Sequence, residues 1–464
     1  MKTYLYIWFD VEDYVTAESD VALGRLIEIM NRHEVKATYK MVGEKVRGLQ
    51  RRGHADIVKQ LAEQDIGYHT DFHSKPPSIA AYMLECDWDG GVAEFIRRER
   101  TGLTTLEQVF GHAPSCYGQP GGSWAPQVYP ALRQWGIPVY LDAGPWVNLS
   151  GKPHRYCDIL NLLSLEHTMH IGISGGAERV RERARQLTDT VEKLRHTGGE
   201  ISLYAHECEF VTAQFWDAVN FRSGSDSARQ EWQPAPLLEE EERESRYAAM
   251  DEFLALVGRL PEVEIIVASQ MPQIYPDHAK GRSFTPQQIS RMGQAMADRI
   301  SHCWCDDVVL SPAEVFSLVV RLLAARIQRG TWPSAVTYQY VDGPVQEPHV
   351  APGGKLALED VFGTCLYEGA ALGMNGRMPS EVQIGKAWLS PADFLATVGA
   401  ALPRWVDGND GDAPVIHGRL DQAQYVPEHV SWNWTIFPPE FDGDPLLQLG
   451  RLQSWTIKPA KGID

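Results

Sequence analysis

Nowhere in these 464 residues does an apolar run approach the roughly 18 that a membrane-spanning helix needs, so no membrane span is expected. Cysteine is scarce, with seven scattered along the chain. The closest pair, Cys303 and Cys305, has one residue between its members, and no second pair completes a zinc-finger spacing. That pattern suits reduced thiols better than a disulfide framework. Basic residues are outnumbered, 43 Lys and Arg against 61 Asp and Glu, for a net charge of -18. Such a balance disfavours nucleic acid as a partner. The start shows no small-residue cleavage site: Lys2 is followed by aromatic and aliphatic residues and then by acids, which makes the cytoplasm the expected compartment. The length admits two or three domains and leaves the oligomeric state open.

What the chain does have is a buried-strand pattern ending in carboxylates. YLYIWF (residues 4–9) is rich in β-branched and aromatic residues, and DVEDY follows at once with Asp10, Glu12 and Asp13. Alone, those acids would read as a helix cap and an acidic first turn. Strand and helix then alternate to about residue 270. SDVALGRLIEIMNRH, HADIVKQLAEQ, RVRERARQLTDTVEKLRH and SRYAAMDEFLALVGRL are helical in period, while VKATYKMVG, IPVYLDAG, ISLYAHE and VEIIVASQ read as strands. EEEERE (239–244) reads as the solvated face at the start of a helix. This alternation implies an α/β fold, either an open parallel sheet or a βα barrel, in which the strand ends feeding the βα loops carry the chemistry. Four such ends bear Asp10, His69 with His73 in HTDFH, Asp142 and His206. On a helical turn the four-residue spacing of His69 and His73 would put both imidazoles on one face, as a divalent metal requires.

The succession WFDVEDY, HEVKATYKMVGE, IGYHTDFHS, YGQPGGSWAPQ, YLDAG and SLYAHE resembles, in motif order, the polysaccharide deacetylase family, the NodB homology domain of carbohydrate esterase family four. The resemblance covers residues 1–275. It implies a distorted (β/α) barrel and a hydrolase acting on carbon–nitrogen bonds other than peptide bonds. It also implies a bound divalent metal, usually zinc, and removal of an N-acetyl group from an amino sugar or glycan precursor by metal-bound water.

Carried onto this sequence, the resemblance makes His69 and His73 metal ligands, with Glu12 or Asp13 as the carboxylate ligand. Asp10 becomes the general base, His206 the acid that protonates the leaving amine, and Asp142 the residue that orients one of these groups. Tyr14 or the backbone near Gly121 would stabilise the oxyanion. Trp124 and Trp146 would stack on a sugar ring or simply pack. Where the family carries an arginine paired with the base, this chain offers Gln119, which implies a higher pKa for Asp10 than an arginine would give. That departure keeps a ureide or cyclic-imide hydrolase open as an alternative, together with a glycan-binding protein on an inactive barrel.

Residues 276–300 read as a linker, and 301–400 as a smaller helical-repeat domain. SPAEVFSLVVRLLAARIQRGTWPSAVTY aligns with ALEDVFGTCLYEGAALGMNGRMPSEVQI, and LSPADF repeats the start of the first unit. These units resemble pseudomurein-binding repeats, implying a binding or a scaffold role. Residues 401–464 form an aromatic-rich extension whose Trp432 and Trp434 alternate along VSWNWTIFPPEF, either closing the pocket or covering the barrel.

Overall fold

The apolar run at the start becomes β1 (Thr3–Val11), which is buried along almost its whole length. The computed structural model describes residues 2–260, 262–348 and 354–460. It divides the chain into two units, one made of Met1–Lys152, Asn161–Ile274 and His429–Leu446, the other of Pro153–Leu160, Tyr275–Glu428 and Leu447–Asp464. The stretch grouped in the sequence as a C-terminal extension is therefore shared between the units, and its residues 461–464 lie outside the described ones.

In the first unit β1 pairs in parallel with β2 (Thr38–Met41), with the strand Gly199–His206 and, along its first half, with Val263–Ile266. β2 pairs in parallel with β3 (Asp65–Tyr68), and His167–His170 pairs in parallel with Gly199–His206. Parallel bridges from Tyr68 to Tyr117 and from Tyr117 to Tyr140 carry the order on to β4 (Val139–Leu141). The unit is α/β, with a parallel sheet whose strand ends all face one way. Helices fill the crossovers, among them α1 (Glu18–Arg32) and α2 (Gly43–Arg51). A further helix, Trp88–Phe110, escapes the periodicity reading because Gly90, Gly91 and Gly102 interrupt its pattern. It is capped at one end by Asp87, which accepts from the Gly90 N–H at 2.7 Å, and at the other by Gly111 at φ +79°. Gly102 is needed for close approach, since a Cβ there would lie 2.6 Å from the Tyr68 hydroxyl and 2.8 Å from the Asp71 Cα.

In the second unit, two short antiparallel hairpins each lead into a Ser-Pro-capped helix. Cys303–Cys305 with Val308–Leu310 precedes Pro312–Arg329, and Val382–Ile384 with Ala387–Leu389 precedes Pro391–Val406. Ser311 and Glu314 form a reciprocal capping box, and Gly330 closes the helix at φ +69°. The two helices aligned by the repeat, Pro312–Arg329 and Leu358–Asn375, pack together. Pro286–Asp298, within the expected linker, is itself helical and crosses Pro391–Val406 at Gly293 and Gly399, where a Cβ on Gly399 would lie 2.0 Å from the Gly293 carbonyl oxygen. All seven cysteines are free, and among the described residues no helix is long and apolar enough to cross a membrane.

Buried within this unit, Lys458 Nζ lies 2.8 Å from Glu314 Oε1 and 3.0 Å from Asp277 Oδ1. Burial pushes the Asp277 carboxyl up, but Lys458 and Arg155 outweigh it and hold the pKa below the ordinary value. Its pairing therefore stabilises the fold above the unfolded carboxyl pKa and is lost as pH falls through the depressed one. Lys458→Met is expected to cost about 3–5 kcal/mol at pH 7 in urea unfolding, with the deficit narrowing on acidification as the stranded carboxylates take up protons. A deficit that does not change with pH would contradict this account.

Candidate active site

Strand register brings the first three groups together. Asp10 stands opposite Lys40 on one side and opposite His206 on the other, so the three side chains share a face at the carboxyl end of the sheet. Lys40 Nζ, fully buried over the Trp8 ring, lies 2.8 Å from Asp10 Oδ1 and donates to Asp142 Oδ2 at 2.9 Å. His206 Nε2 lies 3.8 Å from Asp10 Oδ2. The cation that Gln119 cannot provide is thus supplied by a different strand. Burial raises the Asp10 carboxyl, yet His69, Lys40 and His206 outweigh it and leave its pKa below the ordinary value. Gln119 instead accepts from the Tyr140 hydroxyl at 2.7 Å.

HTDFH is not helical. After β3 the chain turns through positive φ at Thr70 (+72°) and His73 (+52°), unfavourable values for residues with side chains. Several contacts hold the turn. The Asp71 N–H donates to buried Glu99 at 2.6 Å, the His73 N–H donates to Thr70 Oγ1 at 3.0 Å, and Arg47 pairs with Asp71. The imidazoles converge through this loop rather than through helical spacing.

Their tautomers follow from their partners. His69 Nδ1 faces the Gly118 carbonyl oxygen at 3.0 Å, and His73 Nδ1 faces Ser74 Oγ at 2.6 Å, whose hydroxyl donates to Asp217 Oδ2 at 3.1 Å. Both Nδ1 atoms therefore carry the proton, and in the neutral rings both Nε2 atoms carry lone pairs. The two Nε2 atoms are 3.1 Å apart, and Glu12 Oε2 lies 3.4 Å from one and 2.8 Å from the other. Such a trio of acceptors repels itself unless a positive centre sits among it. Two neutral imidazoles and a carboxylate, each steered by an outer partner, are a donor set that fits a divalent cation. Trp216 Nε1 steers Glu12 by donating to Oε1 at 3.2 Å.

Asp13 lies outside this trio. Its Oδ1 accepts the N–H groups of Val15 and Thr16 at 3.0 and 2.8 Å, and burial pushes its pKa up to about 7. Glu207 anchors the segment by accepting from the Glu12 and Asp13 N–H groups, and it is paired with the buried Lys45.

The other expected site residues are placed as follows. Asp142 touches Lys40 rather than His206. His206 is oriented by Glu209, whose Oε2 lies 3.0 Å from His206 Nδ1 and 2.9 Å from His170 Nε2. Burial lowers the His206 pKa, but Glu209 outweighs it and pushes it up to about 10. The Tyr14 hydroxyl donates to the Phe72 carbonyl inside an aromatic cluster, so it is occupied in packing. Trp124 is completely buried against Tyr129, because its indole fills the core where a sugar-stacking face would need exposure. Trp146 is buried beside Trp432. Gly121, at φ +50°, lies under the Trp434 ring, which would sit 2.3 Å from a Cβ there. Trp434 also meets His73 edge-on at 5.5 Å and donates to Asp217 at 3.0 Å, so this tryptophan flanks the imidazoles.

Lys40, Glu99, Glu209 and Asp217 were missed in the sequence. For Lys40 the signal was available, a lone lysine inside an apolar strand, which is rare without a partner. Glu209, three residues beyond His206, was legible only as a spacing. Asp217 carried no signal.

No family model matches the chain, and no curated protein does. Among solved structures it is similar to a putative polysaccharide deacetylase from Mycobacterium smegmatis, at 18% identity over 59% of this chain and 90% of that one, with a TM-score of 0.39. It is also similar to a probable polysaccharide deacetylase from Pseudomonas aeruginosa PAO1, at 13% identity over 59% and 92% with a TM-score of 0.39. A third is the Bc1960 peptidoglycan N-acetylglucosamine deacetylase, at 15% identity over 59% and 87% with a TM-score of 0.33.

Proposed function

We propose that the chain is a metal-dependent deacetylase of an N-acetylated amino sugar or glycan precursor, built on a distorted βα barrel of the polysaccharide deacetylase type. The observation that carries this reading is the convergence of His69 Nε2, His73 Nε2 and Glu12 Oε2 beside the Asp10–His206 pair. His69, His73 and Glu12 would hold a divalent cation, which would supply a Lewis acid for the amide carbonyl and for the attacking water. Asp10 accepts the proton of the attacking water, and Lys40 holds the carboxylate in place for it. His206 delivers a proton from Nε2 to the departing nitrogen, so that one amide and one water yield acetate and an amine. Glu209 anchors the other side of the ring, and Trp434 walls the flank next to His73.

The test is elemental analysis after zinc reloading and removal of excess, on the native chain and on His69→Ala and His73→Ala, followed by acetate release from a panel of N-acetyl sugars. About one tightly held metal per chain, lost in both variants, is expected, with small cyclic amides in the same panel turning over poorly. A native chain that holds none at saturating zinc overturns the reading, and turnover of cyclic amides alone moves the assignment to the imide hydrolases. Because Asp217 acts on His73 through Ser74, Asp217→Asn is expected to weaken the metal roughly 10- to 100-fold in chelator competition.

A further inference from the structure

His206 has a second face. Toward Asp10 it presents Nε2, while its Nδ1 side looks onto a separate group of ligating atoms that the proposed reaction does not use as a metal site. His170, at the end of its own strand, brings Nε2 to 2.9 Å from Glu209 Oε2, and His206 Nδ1 lies 3.0 Å from that same oxygen. The donor atoms of the three residues all fall within 4.8 Å of one another. Both imidazoles are partly exposed, which gives an ion access, whereas the carboxylate is buried. Glu209 Oε1, its other oxygen, is buried with no hydrogen-bond partner among the described residues. A buried carboxylate oxygen left unpaired is costly, and Glu209 thus has acceptor capacity that its contacts with His170 and His206, all made through Oε2, leave unused.

The geometry points to a second, regulatory divalent-cation site formed by His170, His206 and Glu209, whose occupancy switches off the proton delivery of His206. A cation there takes the place of the His206 Nδ1 proton, which leaves to solvent, while His170 binds through the Nε2 lone pair of its neutral ring. The His206 ring then keeps only its Nε2 proton, as a neutral imidazole, and a neutral imidazole is a far weaker acid than an imidazolium. It no longer protonates a departing amine. Because the ion must displace the proton that Glu209 holds on His206, this site fills after the His69–His73–Glu12 site. An excess of the activating metal therefore inhibits. The binding half of the inference stands on these three residues alone, and only the inhibition rests on the proposed deacetylase reading.

The experiment is a zinc titration of the full chain by calorimetry and by bound-metal stoichiometry, run on the native protein, His170→Gln, Glu209→Gln and His69→Ala. The native chain is expected to take up two equivalents in two steps. His170→Gln and Glu209→Gln should each weaken the second step at least about 10-fold and spare the first. His69→Ala should lose the first and keep the second. Saturation of the native chain at one equivalent, or a second step unchanged in both His170→Gln and Glu209→Gln, overturns the inference. If His69→Ala loses nothing while His170→Gln loses one equivalent, the His170–His206–Glu209 cation site stands, and the deacetylase reading falls together with the inhibition.

Discussion

Lys40→Met is expected to have the largest combined effect on stability and turnover of any single change at this site. The ammonium is fully buried and paired with both Asp10 and Asp142, so its removal strands two carboxylates in a low-dielectric interior. Breaking a buried pair from one side costs about 3–5 kcal/mol, because the partner charge is left uncompensated. Two partners share Lys40, and the strain is relieved when one of them is neutralised. The double variant Lys40→Met/Asp142→Asn should therefore regain a large part of the lost stability in urea unfolding. It should not regain turnover, since Asp10 still lacks the group that fixes its carboxylate. Metal content of the double variant should stay close to native, because the ligand trio belongs to other segments. A Lys40→Met chain within about 0.5 kcal/mol of native stability would mean that the two acids are neutral in the fold and that Lys40 carries no such role.

Lys40 also marks the boundary of what could be read in the sequence. The strand ends were legible because buried parallel strands are continuous apolar runs, and an acid or histidine directly after such a run is conspicuous. That logic located Asp10, His69, His73, Asp142 and His206, which the structure gathers at the carboxyl end of one sheet. It did not give pairings across strands. Register decides that Asp10 faces both Lys40 and His206, and register is set by the packing of the whole sheet. Which group Asp142 meets was not legible for this reason: its partner is Lys40, which also pairs with Asp10. The four-residue spacing of the histidines suggested a helical turn. Thr70 and His73 adopt positive φ instead, a local cost sustained by Glu99 and Arg47 from neighbouring helices. Trp124 and Tyr14 illustrate the same limit, because an aromatic residue in a loop motif looks alike in sequence whether its face meets a ligand or a core.

Glu209→Gln is expected to lower kcat by about 10²-fold with little change in KM, measured at limiting metal so that only the His69–His73–Glu12 site is filled. Glu209 does not reach the reacting atoms; it acts through His206, whose Nδ1–H it accepts at 3.0 Å while His170 holds the same carboxylate oxygen. Glutamine preserves the shape but removes the negative charge that keeps the imidazolium favourable, and its amide can turn an N–H toward Nδ1 and select the wrong tautomer. The loss should therefore fall on the proton-delivery step and not on substrate binding, which is the signature of an interaction made in the transition state. Ring-nitrogen NMR gives an independent readout: the His206 signals should shift in Glu209→Gln and stay near native in Asp142→Asn. The reverse pattern, a shift in Asp142→Asn with Glu209→Gln unchanged, would return the orienting role to Asp142. The contrast is sharp because the two acids contact different groups. Asp142 reaches Asp10 only through Lys40, and Glu209 alone of the two is bonded to His206.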